Sequence, residues 1–429
     1  MTLGEDALRP RPDPVQPVPV PVGLGVIARR WGWIGCIGFG GPPAHIALLR
    51  RLCVQREGWI TEAEFEDGIA AANLLPGPAS TQLAIYTAWR LRGTAGAMVG
   101  GVSFIAPGLV AILGLAALFL AGDPPLWVQG AAAGAGSAVA AVALDAAAGL
   151  VPASWKRAGK QQGGWHGRWR SGARTRWVGY GVLGAAASAL LGPWLVLVLI
   201  AAGLAELWTE GWTRRPRSGA GDESGSTAER APKSSMVWPL PLPLPLAAAP
   251  VAGGLAALVW TAFKVGALSY GGGFVIIPLM QSDAVGHEHW MSASQFLSAV
   301  ALGQITPGPV VQTVAVVGYA AAGLGGGLLA AAVAFAPSFV FVILGAPRFD
   351  LLRSNRAVQA FLSGAGPAAI GAIAGAAIPL ALALDHPWQY AVLGLAALWL
   401  LAARRGVVSA LLGAAALGVA AGLAGWPVT

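Results

Sequence analysis

Phe39-Gly40-Gly41-Pro42, followed about 35 residues later by Leu75-Pro76-Gly77-Pro78-Ala79-Ser80-Thr81-Gln82, sets glycine and proline inside hydrophobic sequence, where an unbroken helix tolerates neither. The pair returns. Tyr270-Gly271-Gly272-Gly273 and Pro307-Gly308-Pro309 lie 231 positions further on, with Trp59/Trp290, Thr61/Ser292, Phe65/Phe296 and Asn73/Gln304 in the same register. Val128-Gln129 to Gly134-Ala135-Gly136 recurs as Val358-Gln359 to Gly364-Ala365-Gly366 at a spacing of 230. This pattern predicts a duplicated protein whose helices break at corresponding places in each half.

Of the 429 residues, 56% are hydrophobic and 11% charged, against roughly 25% charged in a soluble domain. That composition, with apolar runs such as Gly96 to Ala121 that exceed the ~20 residues needed to cross a bilayer, predicts an all-α polytopic membrane protein. The 61 glycines imply helices that approach one another closely. A net charge of +8 does not point to nucleic acid, because the basic residues lie between apolar runs, as loops on the positive side of a membrane do. Cys36 and Cys53 are too few for a disulfide framework, and His45, His287 and His289 have no ligand spacing, so neither metal nor cofactor is expected. Paired aspartates, a Ser/His pair, an HExxH helix and a Walker sequence are all missing, which argues against an enzyme or an ATP-driven pump.

In chain order, residues 1–22 read as a Pro-rich disordered tail, 23–208 as a first repeat, 209–245 as a linker with a Pro-Leu run, and 246–429 as a second repeat. Thr61 with Glu64 three residues later makes a capping box that opens an interfacial helix, matched by one beginning near Ser292. Each Pro-Gly-Pro is expected to interrupt its segment or make it re-entrant, since backbone that cannot stay helical at membrane depth survives only where it is buried in protein or lines a cavity. If Lys156 to Arg176, the linker, Arg348 to Arg356 and Arg404-Arg405 are all cytoplasmic, Gly96 to Ala121 runs outward and Leu324 to Ala346 inward. The two halves are then inverted, with five spans each and roughly ten in all.

The candidate site is the pair of breaks. Past each one a helix restarts, through Ser80, Thr81 and Gln82 in one half and Gln312 and Thr313 in the other. A helix's first turn carries unsatisfied N–H groups and about half a positive charge, which attracts an anion. Substrate-binding candidates are therefore Gly40, Gly41, Asn73, Pro76, Gly77, Pro78, Ser80, Thr81, Gln82, Gly271, Gly272, Gln304, Pro307, Gly308, Pro309, Gln312 and Thr313, joined by Lys264. The glycine pairs suit a packing role equally well. Lys264 either meets the ligand or snorkels to an interface, and Asp145 either carries a proton or is a solvated or Arg-paired carboxylate.

Phe39-Gly40-Gly41-Pro42 with Trp59-Ile60-Thr61 and Phe65, and Ser269 to Met280 with Trp290-Met291-Ser292 and Phe296, each followed by its Pro-Gly-Pro, resemble the chromate ion transporter family over nearly all of both halves. The pattern departs at Gly273, which stands where the first half has Pro42. The resemblance implies a bacterial inner-membrane protein of two homologous, oppositely oriented domains that exports chromate and confers resistance to it. Sulfate would be a look-alike substrate, and a homo-oligomer is compatible with it. A non-transporting sensor or scaffold is the alternative of a different class. Anion exchange and proton coupling both stay open as driving forces.

Overall fold

The computed structural model describes residues 22–73, 75–120, 124–160, 170–190, 194–212, 254–269, 275–346 and 355–428; these are helical with no β-strand among them. The first half comprises α1 (Leu24–Ile37), α2 (Pro42–Arg50) prolonged by a π-type turn (Arg51–Arg56), α3 (Glu62–Ala72), α4 (Ala79–Phe119), α5 (Leu126–Ser137), α6 (Val139–Lys160), α7 (Arg170–Leu190) and α8 (Leu195–Trp212). The second comprises α9 (Gly254–Leu268), α10 (Ile276–Gln281) with its π-type turn (Ser282–His287), α11 (Ala293–Ile305) and α12 (Thr313–Gly345), which a 3-10 turn (Val310–Gln312) introduces. After them come α13 (Arg356–Leu382), α14 (Pro387–Ala397) and α15 (Val407–Leu423). Residues 1–21 of the tail, 213–245 of the linker, Asp123 and the Tyr270-Gly271-Gly272-Gly273 motif lie outside the described residues, while the first linker residues, 209–212, belong to α8.

Local geometry repeats with the sequence. Thr61 Oγ1 accepts the Glu64 N–H at 3.2 Å while the Glu64 carboxylate takes the Thr61 N–H at 3.0 Å, and Ser292 and Gln295 make the same box at 3.1 and 2.9 Å. Burial pushes the Glu64 carboxyl up, but the Thr61 N–H and hydroxyl and the Arg90 guanidinium outweigh it and hold it below its usual range. The acidic first turns of α3 are balanced by Arg50, which pairs with Glu62 and Glu66, and by Arg90, which pairs with Glu64.

The long helices are hairpins. In α4 the backbone leaves helical geometry at Arg92 (φ −146°) and Gly93 (φ 58°, ψ −146°), and in α12 it does so at Ala322 (φ −152°) and Gly323 (φ 62°, ψ −156°). Only glycine enters that region at low cost. The returning arms touch. A Cβ added to Gly96 would lie 2.2 Å from the Ala88 carbonyl, and one added to Gly326 would lie 2.3 Å from the Gly318 carbonyl. Residues 79–91 thus form an arm of about 20 Å, too short to cross a ~30 Å hydrocarbon core. The same arm also folds back on α3, where a Cβ on Gly68 would meet the Tyr86 ring at 2.6 Å, so Pro76-Gly77-Pro78 is the tip of a second turn with the shape of a re-entrant hairpin.

Runs long and apolar enough to span are Ala79–Phe119, Leu126–Gly159, Val310–Gly345 and Ala357–Leu382; Leu195–Thr209, Gly254–Leu268, Pro387–Ala402 and Val407–Leu423 are apolar but shorter. The basic stretch expected as a loop is narrower than its charges suggest, because α6 continues to Lys160 and α7 starts at Arg170. Helices meet through small residues. Gly35 on α1 and Gly266 on α9 would each set a Cβ within 2.5 Å and 2.0 Å of the Phe104 and Ala334 carbonyls on α4 and α12. Packing also crosses between halves. Gly184 of α7 abuts Ala368 of α13, and Gly134 of α5 abuts Ala414 of α15. Large apolar side chains face outward instead, with Leu190, Leu382 and Leu423 at least 75% exposed, as on a lipid-facing surface.

Candidate functional site

Each break is a turn at a glycine of positive φ, with a glutamine packed against it and a backbone latch to the opposite half. Gly77 has φ +128° and Gly308 φ +108°. The Gln82 amide donates to the Pro76 carbonyl at 2.7 Å, and a Cβ on Gly77 would collide with it at 2.4 Å. The Gln312 amide reaches across to the Ile105 carbonyl of α4 at 2.8 Å. The Gly77 N–H donates to the Ser269 carbonyl at 2.7 Å, and the Gly308 N–H to the Gly38 carbonyl at 3.0 Å. Gly38 and Ser269 are 231 positions apart, so the two latches correspond. These contacts correct two expectations. The N–H groups of Gly77 and Gly308 do not face a ligand, because the last carbonyls at the ends of α1 and α9 lack intrahelical donors and take them. Nor are the Gln82 and Gln312 amides wholly free, since a backbone carbonyl takes one N–H of each.

Around the tips is a set of buried polar atoms without partners among the described residues. At the first tip these are Thr81 Oγ1, Gln82 Oε1, Ser269 Oγ and Ser338 Oγ; at the second, Gln304 Nε2 and Gln312 Oε1. Thr81, Gln82, Ser269 and Ser338 are completely buried. An orphaned buried donor or acceptor costs about 1–3 kcal/mol, and six of these atoms cluster around the two related turns, the others being Arg30 Nε and Ser188 Oγ. Thr313 is buried but occupied, its hydroxyl donating to the Val310 carbonyl at 2.8 Å. Pro78 offers the first turn of α4 no side-chain cap.

The tips are joined through a residue that the sequence reading set aside. His45 on α2 is fully buried, with Nδ1 3.1 Å from Ser80 Oγ and Nε2 2.8 Å from the Gly38 carbonyl, the same carbonyl that receives the Gly308 N–H. Ser80, His45, Gly38 and Gly308 therefore form one hydrogen-bonded chain from the first tip to the second. The signal for His45 was a histidine in an apolar stretch three residues after Pro42. Ser269 and Ser338 carried none, since only the cross-half packing places them.

The remaining candidates disperse. Gly40 is exposed and Gly41 packs 4.0 Å from Val310 when a Cβ is added, which ties the first glycine pair to the second break. Gly271 and Gly272 lie outside the described residues. Lys264 does not point its charge at a ligand: its Nζ is 2.5 Å from Asp283 Oδ2, which also takes the Thr261 hydroxyl at 2.9 Å. Arg30 is held likewise by Glu57 at 2.9 Å. Asn73 is exposed at the end of α3 and, with Gly77, Ser154, Arg157 and Gly366, lines a cavity of about 70 Å³ beside the first tip. Asp145 is half-buried on α6 with no hydrogen-bond or ion-pair partner among the described residues.

Helix hairpins with glycine-proline tips, meeting around buried polar groups inside a shell of exposed apolar side chains, define a polytopic membrane protein with an internal polar site. The chain belongs to the chromate transporter family, whose profile matches residues 26–207 and 256–425. It is similar to the chromate transport protein of Cupriavidus metallidurans, with 33% identity over 351 residues, 81% of this chain and 80% of that one. It also resembles the chromate transport protein of Pseudomonas aeruginosa, at 27% identity over 92% of this chain and 90% of that one. The probable chromate transport protein of Synechococcus elongatus is 28% identical over 85% of this chain and 86% of that one. No solved structure matches.

Proposed function

We propose that this protein exports chromate from the cytoplasm across the bacterial inner membrane and so confers resistance, holding the oxyanion between the two Pro-Gly-Pro tips. The observation that carries this reading is the set of buried, unpartnered polar atoms at those tips. The hydroxyls of Thr81, Ser269 and Ser338, the Gln304 amide and the uncapped first turn of α4 supply hydrogen-bond donors suited to a tetrahedral dianion. The Gln82 and Gln312 amide oxygens accept from an ordered water or a protonated ligand oxygen. The names of the relatives support chromate as the substrate, and sulfate, of the same shape and charge, competes for such donors. The duplicated hinges, capping boxes and latches support two inverted repeats, 23–208 and 246–429, whose relative movement opens the site to either face. Asp145, half-buried on α6, is the candidate to carry a proton with this movement, a solvated structural carboxylate being the alternative.

The test is transport by the purified chain in vesicles. Time-dependent chromate accumulation, inhibited by sulfate, is expected; a chain that binds chromate but moves none is a sensor or scaffold.

A further inference from the structure

We propose that His45 is a proton switch that controls oxyanion binding: protonation of its ring turns Ser80 from a hydrogen-bond donor toward His45 into a donor toward the ligand. This rests on the reading of the tips as the anion site. The Gly38 carbonyl can only accept, so Nε2, 2.8 Å away, must carry a hydrogen. In the neutral ring Nδ1 then has a lone pair and takes the one hydrogen of the Ser80 hydroxyl at 3.1 Å. Ser80 in that state has no hydrogen left for an anion. When Nδ1 gains a proton from solvent it becomes a donor to Ser80 Oγ, and the hydroxyl hydrogen is released. It is then available to an anion held at the first turn of α4, which Ser80 belongs to. The change also sets a positive charge one hydroxyl away from the site, where a bound anion would favour it.

Among the described residues no other charge bonds to this ring. The charged side chains on the elements packed against α2 are Arg29 and Arg30 of α1, Arg51 and Arg56 of the π-type turn with the adjacent Glu57, Glu62, Glu64, Glu66 and Asp67 of α3, and Arg90 and Arg92 of α4. On α2 itself there is Arg50. Among the described residues none hydrogen-bonds or ion-pairs with the ring; Arg30, Arg50 and Arg90 are held by Glu57, by Glu62 and Glu66, and by Glu64. The Phe104 ring, edge-on at 5.0 Å, closes the remaining side. Because the Gly38 carbonyl also binds the Gly308 N–H, the same ring reports to both tips.

The experiment measures chromate binding to the full-length protein and to His45→Gln, whose amide reproduces the neutral ring, from about pH 8 down to about pH 5, because burial holds the free ring below the usual histidine range despite its bond to the Gly38 carbonyl. Chromate's own protonation is common to both proteins and cancels in the ratio of their dissociation constants. The ratio of variant to parent should rise at least about tenfold as the pH falls. A ratio that stays constant overturns the switch while leaving the site between the tips standing. A parent that binds no chromate at any pH removes the site itself. Should His45→Gln fail to fold, nitrogen NMR of the parent, labelled on its five histidines, decides the matter. One ring should gain a proton on Nδ1 when chromate is added at about pH 7.5, and should fail to do so in Ser80→Ala. No ring responding to chromate overturns the proposal.

Discussion

Replacing Thr81 by Val and Ser338 by Ala separates a ligand site from a packing motif, because the two hydroxyls have no protein partner to lose. Thr81 Oγ1 and Ser338 Oγ are both fully buried and unpartnered, and Ser338 Oγ stands 3.1 Å from where a Cβ of Gly77 would be. In the ligand-free protein each hydroxyl costs about 1–3 kcal/mol as an orphan, so deleting it should leave the melting temperature unchanged or raise it. A hydrogen bond to a charged ligand is worth about 1.5–3 kcal/mol, so each deletion should weaken chromate binding by roughly 10- to 150-fold. Isothermal titration on the detergent-solubilised protein gives the affinity, and a thermal melt of the same sample gives the stability. Parental affinity in the Thr81→Val/Ser338→Ala double variant refutes the site between the tips. A lowered melting temperature refutes the reasoning differently, since it would mean the hydroxyls have protein partners after all. Gln312→Ala is a poorer probe, because it also removes the bond to the Ile105 carbonyl that ties the second tip to α4.

Gly93→Ala and Gly323→Ala should each destabilise the protein by about 1–3 kcal/mol in a denaturant titration, although a Cβ at either position meets nothing within 4 Å; the cost is purely that of the backbone conformation. Asp283→Asn strands Lys264 in a mostly buried setting and should cost about 3 kcal/mol, whereas Lys264→Met with Asp283→Leu should recover most of it and keep parental chromate affinity. An affinity loss in that double variant would return Lys264 to the site. Asp145→Asn should make transport insensitive to an imposed pH gradient with binding intact, and unchanged gradient dependence assigns Asp145 a structural role. For topology, a single cysteine at Ser282 should label from outside intact cells and one at Ser171 should not; the opposite pattern overturns the inverted arrangement. Cys36 is exposed and must be replaced first, while Cys53, whose thiol burial and the Glu57 charge push up to about 12, will stay silent.

The sequence by itself determined the helical class, the two breaks and the capping boxes, because these rest on local chemistry: apolar length, proline without an N–H, and a hydroxyl three residues before a carboxamide or carboxylate. It also showed the paired motifs, since like turns need like residues at Gly77 and Gly308. What it could not determine was where the turns' hydrogen-bonding groups go. The hinges at Arg92-Gly93 and Ala322-Gly323 fall just before the spans that the sequence begins at Gly96 and Leu324, but that the arms on either side fold back into contact was not legible, because a glycine in an apolar run does not say which helix it will lie against. Lys264 looked free because Asp283 is 19 residues away, and only the hairpin after α9 brings the two charges together. The Gly77 and Gly308 amides, expected to meet an anion, are taken by carbonyls from the opposite half, and the groups left over belong to Ser269, Ser338 and Thr81. Which polar atoms end up unpartnered depends on what every neighbouring helix donates and accepts, so only the packed tertiary structure could decide it.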